Sequence, residues 1–90
     1  DTPGVFETKA TESFYYVTPP DASWDAAKTE EWLTAFNYYT TDVVSIHEAY
    51  PGHFEQAMHL KASGVNGAAR YVGSYAFIEG WAHYTEQMAL

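Results

Sequence analysis

The stretch Val43-Val44-Ser45-Ile46-His47-Glu48-Ala49-Tyr50-Pro51-Gly52-His53 decides how this sequence is read. It sets a His-Glu pair ahead of a second histidine, directly after a β-branched run. In the common zinc protease pattern the two histidines stand at i and i+4 on one helix, with glutamate after the first. Four residues advance a helix by about 400°, which leaves both imidazoles on one face. His47 to His53 is a step of six. Six residues advance about 600°, so an ideal helix holds the two rings about 120° apart, too far round to share one ion. Pro51-Gly52 offers a way out. Proline lacks the N–H that the i−4 bond needs, and its ring clashes with the preceding turn. Glycine accepts backbone geometries closed to other residues. Together they are expected to bulge two residues out, so that His53 returns to the place of an i+4 residue. Bulges inside helices often mark functional sites.

Two imidazoles leave such a site one ligand short, because catalytic zinc takes three protein ligands and keeps a fourth position for water. Glu79, in Phe77-Ile78-Glu79-Gly80-Trp81-Ala82, is the candidate, far enough from His53 for a helix end, a loop and a return. It is a lone carboxylate beside apolar Ile78 and Trp81, a costly placement unless a cation pairs with it. With His47, His53 and Glu79 as ligands, a zinc ion keeps net positive charge and lowers the pKa of its water to about 7. Glu48 follows the first ligand and points beside the metal, which suits the general base that takes a proton from that water.

Working outward, the chain reads as mainly α. Ser23 or Asp25 caps a helix through Ala26 to Leu33, with Trp32, Leu33 and Phe36 as its apolar stripe and Asn37 as its interruption. A second helix covers roughly Tyr38 to Tyr50, its stripe formed by Val43, Ile46, His47 and Tyr50. A third runs from about His53 to Ala62 and ends at Ser63-Gly64, followed by a loop at Val65-Asn66-Gly67. A last helix starts near Ala68 or Tyr75, with Ile78, Trp81, Ala82, Met88 and Ala89 on one apolar face. Residues 1–22 read as irregular or extended. Within them Ser13-Phe14-Tyr15-Tyr16-Val17-Thr18, ending at Pro19-Pro20, carries the signal of a short edge strand.

Composition excludes several classes. Apolar residues make up 47% of the chain and aromatic residues 18%, ample material for a packed core. Four basic residues against twelve acidic ones give a net charge of −8, which argues against nucleic acid and against anionic membrane surfaces. No apolar run approaches the roughly 20 residues that span a bilayer. With no cysteine, disulfides, thiolate nucleophiles and thiolate-rich zinc sites are excluded.

The chain resembles the bacterial family catalogued as domain of unknown function 885 (DUF885), which sits with gluzincin-type metallopeptidases. The resemblance rests on Phe14-Tyr15-Tyr16 before Pro19-Pro20, Glu31-Trp32-Leu33 with Phe36-Asn37, His47-Glu48-Ala49-Tyr50-Pro51-Gly52-His53, and Glu79-Gly80-Trp81-Ala82 with Tyr84 and Glu86. It implies a zincin-like helical core, Zn2+ held by His47, His53 and Glu79, Glu48 as catalytic acid/base, and a peptide substrate. The family often carries a second histidine after the motif, where this chain has Phe54, and an apolar residue where it has His83. Its members are several times longer. Asp1 at one end and a helical pattern running out at Leu90 then read as cut ends. Residues 1–90 are therefore expected to be the metal-binding core of a larger zincin-like catalytic domain, completed by the remainder of the parent polypeptide.

Plainer readings stand beside these. His59 reads as a surface residue paired with Glu55 one turn earlier. His83, one turn after Glu79, reads as an outer partner of the metal site or an alternative ligand. Tyr50 reads as packing, with a hydroxyl able to reach the site, and Trp24, Trp32 and Trp81 read as core. The alternative function is a non-catalytic fragment or binding module that keeps the motif without a complete cleft. A third reading is a di-metal carboxylate protein built from Glu55/His59 and Glu79/His83. It is disfavoured because that class spaces Glu and His three apart rather than four.

Overall fold

The computed structural model describes residues 12–66, 68 and 72–90. Among them four long helices are formed: α1 (Ala26–Ala35), α2 (Tyr38–Glu48), α3 (His53–Ala62) and α4 (Tyr75–Met88). The fold is mainly α, and α4 packs on both α2 and α3, which also touch each other. Among the described residues no helix is long and apolar enough to cross a membrane.

Polar side chains set the helix boundaries. The Asp25 carboxylate accepts from the Lys28 N–H and starts α1. Ser23, the other candidate cap, instead donates to Asp21. Asn37 serves two helices at once: its side-chain N–H donates to the Thr34 carbonyl, and its side-chain oxygen accepts from the Thr40 N–H. It therefore closes α1 and opens α2, because an Asx side chain satisfies backbone groups that a continuing helix would otherwise pair. Of the two starts expected for the last helix, Tyr75 is the one observed. Ala68 is also helical, but residues 72–74 are not. Residues 1–11, Gly67 and residues 69–71, on which other parts of the sequence reading fall, lie outside the described residues.

Three expectations need correction. The segment Ser13–Thr18 forms no strand. Its β-branched and aromatic residues favour extended backbone, but a strand also needs a partner ladder, and the elements around it are helices. The side chains of Phe14, Tyr16 and Val17 are exposed, and the segment is tied to α2 by Tyr15 Oη and Ser45 Oγ at 3.2 Å. The tryptophans are not a buried core either, since each keeps part of its surface in solvent. Trp32 is flanked by Trp24 and Phe36, with ring centroids 5.3 and 4.5 Å away. Among the described residues the side chains fully buried are instead Ala82 and Thr85 of α4, small residues that let helices approach closely. Finally, α2 ends at Glu48 rather than Tyr50, and Tyr50 is 73% exposed instead of lying in the apolar stripe.

The early end of α2 follows from the backbone at residues 49–52. The Ala49 N–H still donates to the Ser45 carbonyl, as in an ordinary helix. The Ile46 carbonyl then accepts from the Gly52 N–H at 3.0 Å, and the Ala49 carbonyl from the Glu55 N–H at 3.2 Å. In a continuous helix residues 50 and 53 would make those bonds. Tyr50 and Pro51 are thus looped out, joined by a cis peptide bond. By Gln56, which bonds back to Gly52, the normal pattern has resumed. Gly52 is buried, and a Cβ there would lie 1.7 Å from the His47 carbonyl oxygen. No side chain fits without moving backbone.

Two glycine substitutions therefore separate in sign. Gly52→Ala is expected to cost about 1–3 kcal/mol or more of stability, as overpacking does. Gly80→Ala, where an added Cβ meets nothing within 4 Å, is expected to stabilise by about 0.5–1 kcal/mol through helix propensity. Chemical denaturation of both variants checks the pair. A Gly52→Ala protein as stable as the parent would contradict the close approach.

Candidate metal centre

The bulge puts His53 one position past Gly52, which itself stands where residue 50 would be. His53 is thereby four helical positions from His47 in register, although six in sequence. Their rings lie 4.7 Å apart between centroids and nearly perpendicular. The third member comes from α4. The Glu79 Oε2 atom is 3.5 Å from His47 Nε2 and 3.5 Å from His53 Nε2. One donor atom from each of the three residues falls within 4.8 Å of the others. Donors about 2.0–2.1 Å from a tetrahedral zinc stand about 3.4 Å apart, so the two measured separations fit such an ion with little movement. Two imidazole nitrogens and one carboxylate oxygen also match the donor set of open zinc sites.

The two histidines are held differently. His47 Nδ1 donates to Glu86 Oε1 at 2.6 Å. That bond fixes the tautomer and leaves the lone pair on Nε2, the atom facing Glu79. Glu86 lies seven residues after Glu79, two turns on, so both carboxylates share one face of α4. The hydrogen bond from His47 lowers the Glu86 carboxyl from its ordinary value; partial burial opposes this, and attraction to His83 and His47 adds to the lowering. His53 Nδ1, by contrast, is buried with no hydrogen-bond partner among the described residues. The His53 side-chain contacts are on the other side of the ring, with Glu79 through Nε2 and with the His47 ring.

Glu48, the expected base, is the last residue of α2 and is exposed, one helical step round from His47. Glu79 is not buried as expected: its side chain keeps 58% of its exposure. Desolvation is therefore not what pairs it with the histidines; its position on α4 is. His83 stands outside the three-residue group and contacts Glu86 Oε2 at 3.4 Å on the solvent side. His59 pairs with Glu55 at 3.4 Å on α3, an exposed i, i+4 contact. The four residues of the di-metal reading do not converge.

The sequence reading gives Glu86 and Trp81 no role in the site, although both lie in the strings that carry the resemblance. The seven-residue step from Glu79 was a usable signal for Glu86. Nothing in the sequence marked the Trp81 indole, which donates to the Pro51 carbonyl at 2.9 Å.

The model of the family described as "Bacterial protein of unknown function (DUF885)" matches residues 1–90. The chain belongs to DUF885. No curated protein and no solved structure matches it. In this DUF885 chain two of the four strings that carried the resemblance meet at the candidate centre: the His47–His53 segment makes the bulge, and the Glu79–Glu86 segment lies on the helix facing it.

Removing the carboxylate that orients His47 tests this geometry. Glu86→Ala is expected to weaken binding of a divalent metal about 10- to 100-fold, whereas His83→Ala, an exposed partner, changes it by less than about fivefold. Competition against a chromophoric chelator measures both. A larger loss in His83→Ala than in Glu86→Ala would reverse the assignment.

Proposed function

We propose that this chain carries the zinc centre of a gluzincin-like metallohydrolase that cleaves peptide bonds. The supporting observation is the restored register: two histidines six apart in sequence meet the same Glu79 oxygen at 3.5 Å each. His47, His53 and Glu79 would hold the ion. Bound there, zinc supplies a Lewis acid that polarises a carbonyl and brings the pKa of water to about 7.

The chain's own groups would do the rest. Glu86 keeps the His47 ring in the tautomer whose Nε2 is free to coordinate. Glu48, adjacent to His47 in sequence and exposed, would accept a proton from the attacking water and return it to the leaving amine. The proton so moved ends on the nitrogen released when the amide breaks. Exposed apolar side chains on several helices, among them Tyr38, Phe54, Met58 and Phe77, support reading these residues as one part of a larger zincin-like catalytic domain. Bacterial origin follows from the family.

The expected behaviour of the full-length protein is one bound zinc per chain, lost on chelation and strongly weakened in His47→Ala and Glu79→Ala. Glu48→Gln should keep the zinc and lose cleavage of a peptide mixture by about 10²- to 10⁴-fold, the range of general-base catalysis. Stoichiometric zinc with no cleavage by the parent protein would support a binding module instead. Normal cleavage by Glu48→Gln would remove Glu48 from the role of base.

A further inference from the structure

We infer that Trp81 is a positioning residue for His53, acting through the hydrogen bond from its indole N–H to the Pro51 carbonyl; this rests on the zinc reading above. The two histidines differ in what orients them. His47 has a side-chain anchor in Glu86 at 2.6 Å, while His53 Nδ1 has no partner among the described residues. His53 Nε2 meets Glu79 Oε2 at 3.5 Å, but nothing among the described residues holds the far side of the ring, so the backbone just before it, residues 50–52, carries more of its placement. Regular i to i−4 bonding lapses inside that segment: the Tyr50 N–H reaches the Ser45 carbonyl at a long 3.4 Å, the Gly52 N–H bonds to Ile46 at 3.0 Å, and Pro51 brings no N–H. The Pro51 carbonyl is then the group of the looped-out pair that an outside donor can hold. Trp81 supplies that donor at 2.9 Å, partly shielded from solvent.

The position of Trp81 adds to this. It lies two residues after Glu79 on α4. One helix therefore presents the carboxylate and, through a rigid bicyclic side chain, grips the bulge that carries the second histidine. The indole sets the distance between Glu79 and His53, the 3.5 Å separation on which sharing an ion depends. Phenylalanine fills much of the same space but cannot donate, so the bulge would be free to relax and carry His53 away.

The test is a double-mutant cycle in the full-length protein, with zinc affinity read by chelator competition. Four proteins are compared: the parent, Trp81→Phe, His53→Ala and the double variant. Trp81→Phe is expected to bind zinc about 10- to 100-fold more weakly, as loss of an outer support does. In the His53→Ala background the same change is expected to add almost nothing, because the two act on one ligand. The cobalt-loaded Trp81→Phe protein is expected to lose visible absorption intensity as a ligand leaves. If Trp81→Phe does not fold by circular dichroism, replacing Trp81 with benzothienylalanine keeps the bicycle and removes only the N–H. Unchanged affinity on losing the N–H, or an equal loss in both backgrounds, would overturn the inference while leaving the zinc centre intact. A parent protein that binds no zinc would overturn both, and the parent arm alone reveals that case.

Discussion

The hydrogen bond from the Gly52 N–H to the Ile46 carbonyl is the contact on which the rest depends. It lets a helix pass over two extra residues and resume with its register intact. The donor must come from a residue without a side chain, since a Cβ at Gly52 would overlap the His47 carbonyl at 1.7 Å. The same carbonyl belongs to the first histidine of the pair. The constraint that forces glycine at position 52 is thus the closeness that lets His53 follow His47 on one face.

The helix α4 works as a template laid across this bulge. Its buried contact residues are Ala82 and Thr85, and the Thr85 hydroxyl is satisfied within the helix by the Ala82 carbonyl at 2.7 Å. A small residue and a self-satisfied polar one allow a close approach without leaving an unpaired group buried. From that platform Glu79 reaches both imidazoles, Trp81 reaches the bulge and Glu86 reaches the back of His47. A carboxylate on the outer nitrogen of a ligating histidine raises its basicity and fixes its ring. The arrangement would therefore tune a bound cation as well as hold it.

Much of this was legible in the sequence, and the misses share a cause. The helices read from Ala26 to Leu33 and from His53 to Ala62 followed from caps, apolar spacing and glycine, all local signals, and the first runs two residues further, to Ala35. The bulge followed from one conflict, a metal-site residue pattern at a spacing a plain helix cannot use, with proline and glycine at hand to resolve it. What failed needed knowledge of partners. Ser13–Thr18 had strand composition and, among the described residues, no strand to pair with. Trp24, Trp32 and Trp81 had core character, but the close contacts were taken by Ala82 and Thr85. Glu79 lies beside both histidines, but not for the reason read from the sequence: its apolar neighbours suggested burial, yet it stands 58% exposed and is brought in by helix geometry.

The most direct measurement is zinc affinity in two deletion variants of the full-length protein. Removing Tyr50 and Pro51 together leaves His47-Glu48-Ala49-Gly52-His53, an i, i+4 pair in which the Gly52 bond to Ile46 becomes an ordinary helical one. Removing Pro51 alone leaves a step of five, which turns the second ring about 140° from the first. The double deletion is expected to keep a zinc site that depends on His47, His53 and Glu79, and the single deletion is expected to lose it. Loss of zinc from both alike, or tight binding in the single deletion, would contradict the claim that the looped-out pair exists to bring two histidines onto one ion.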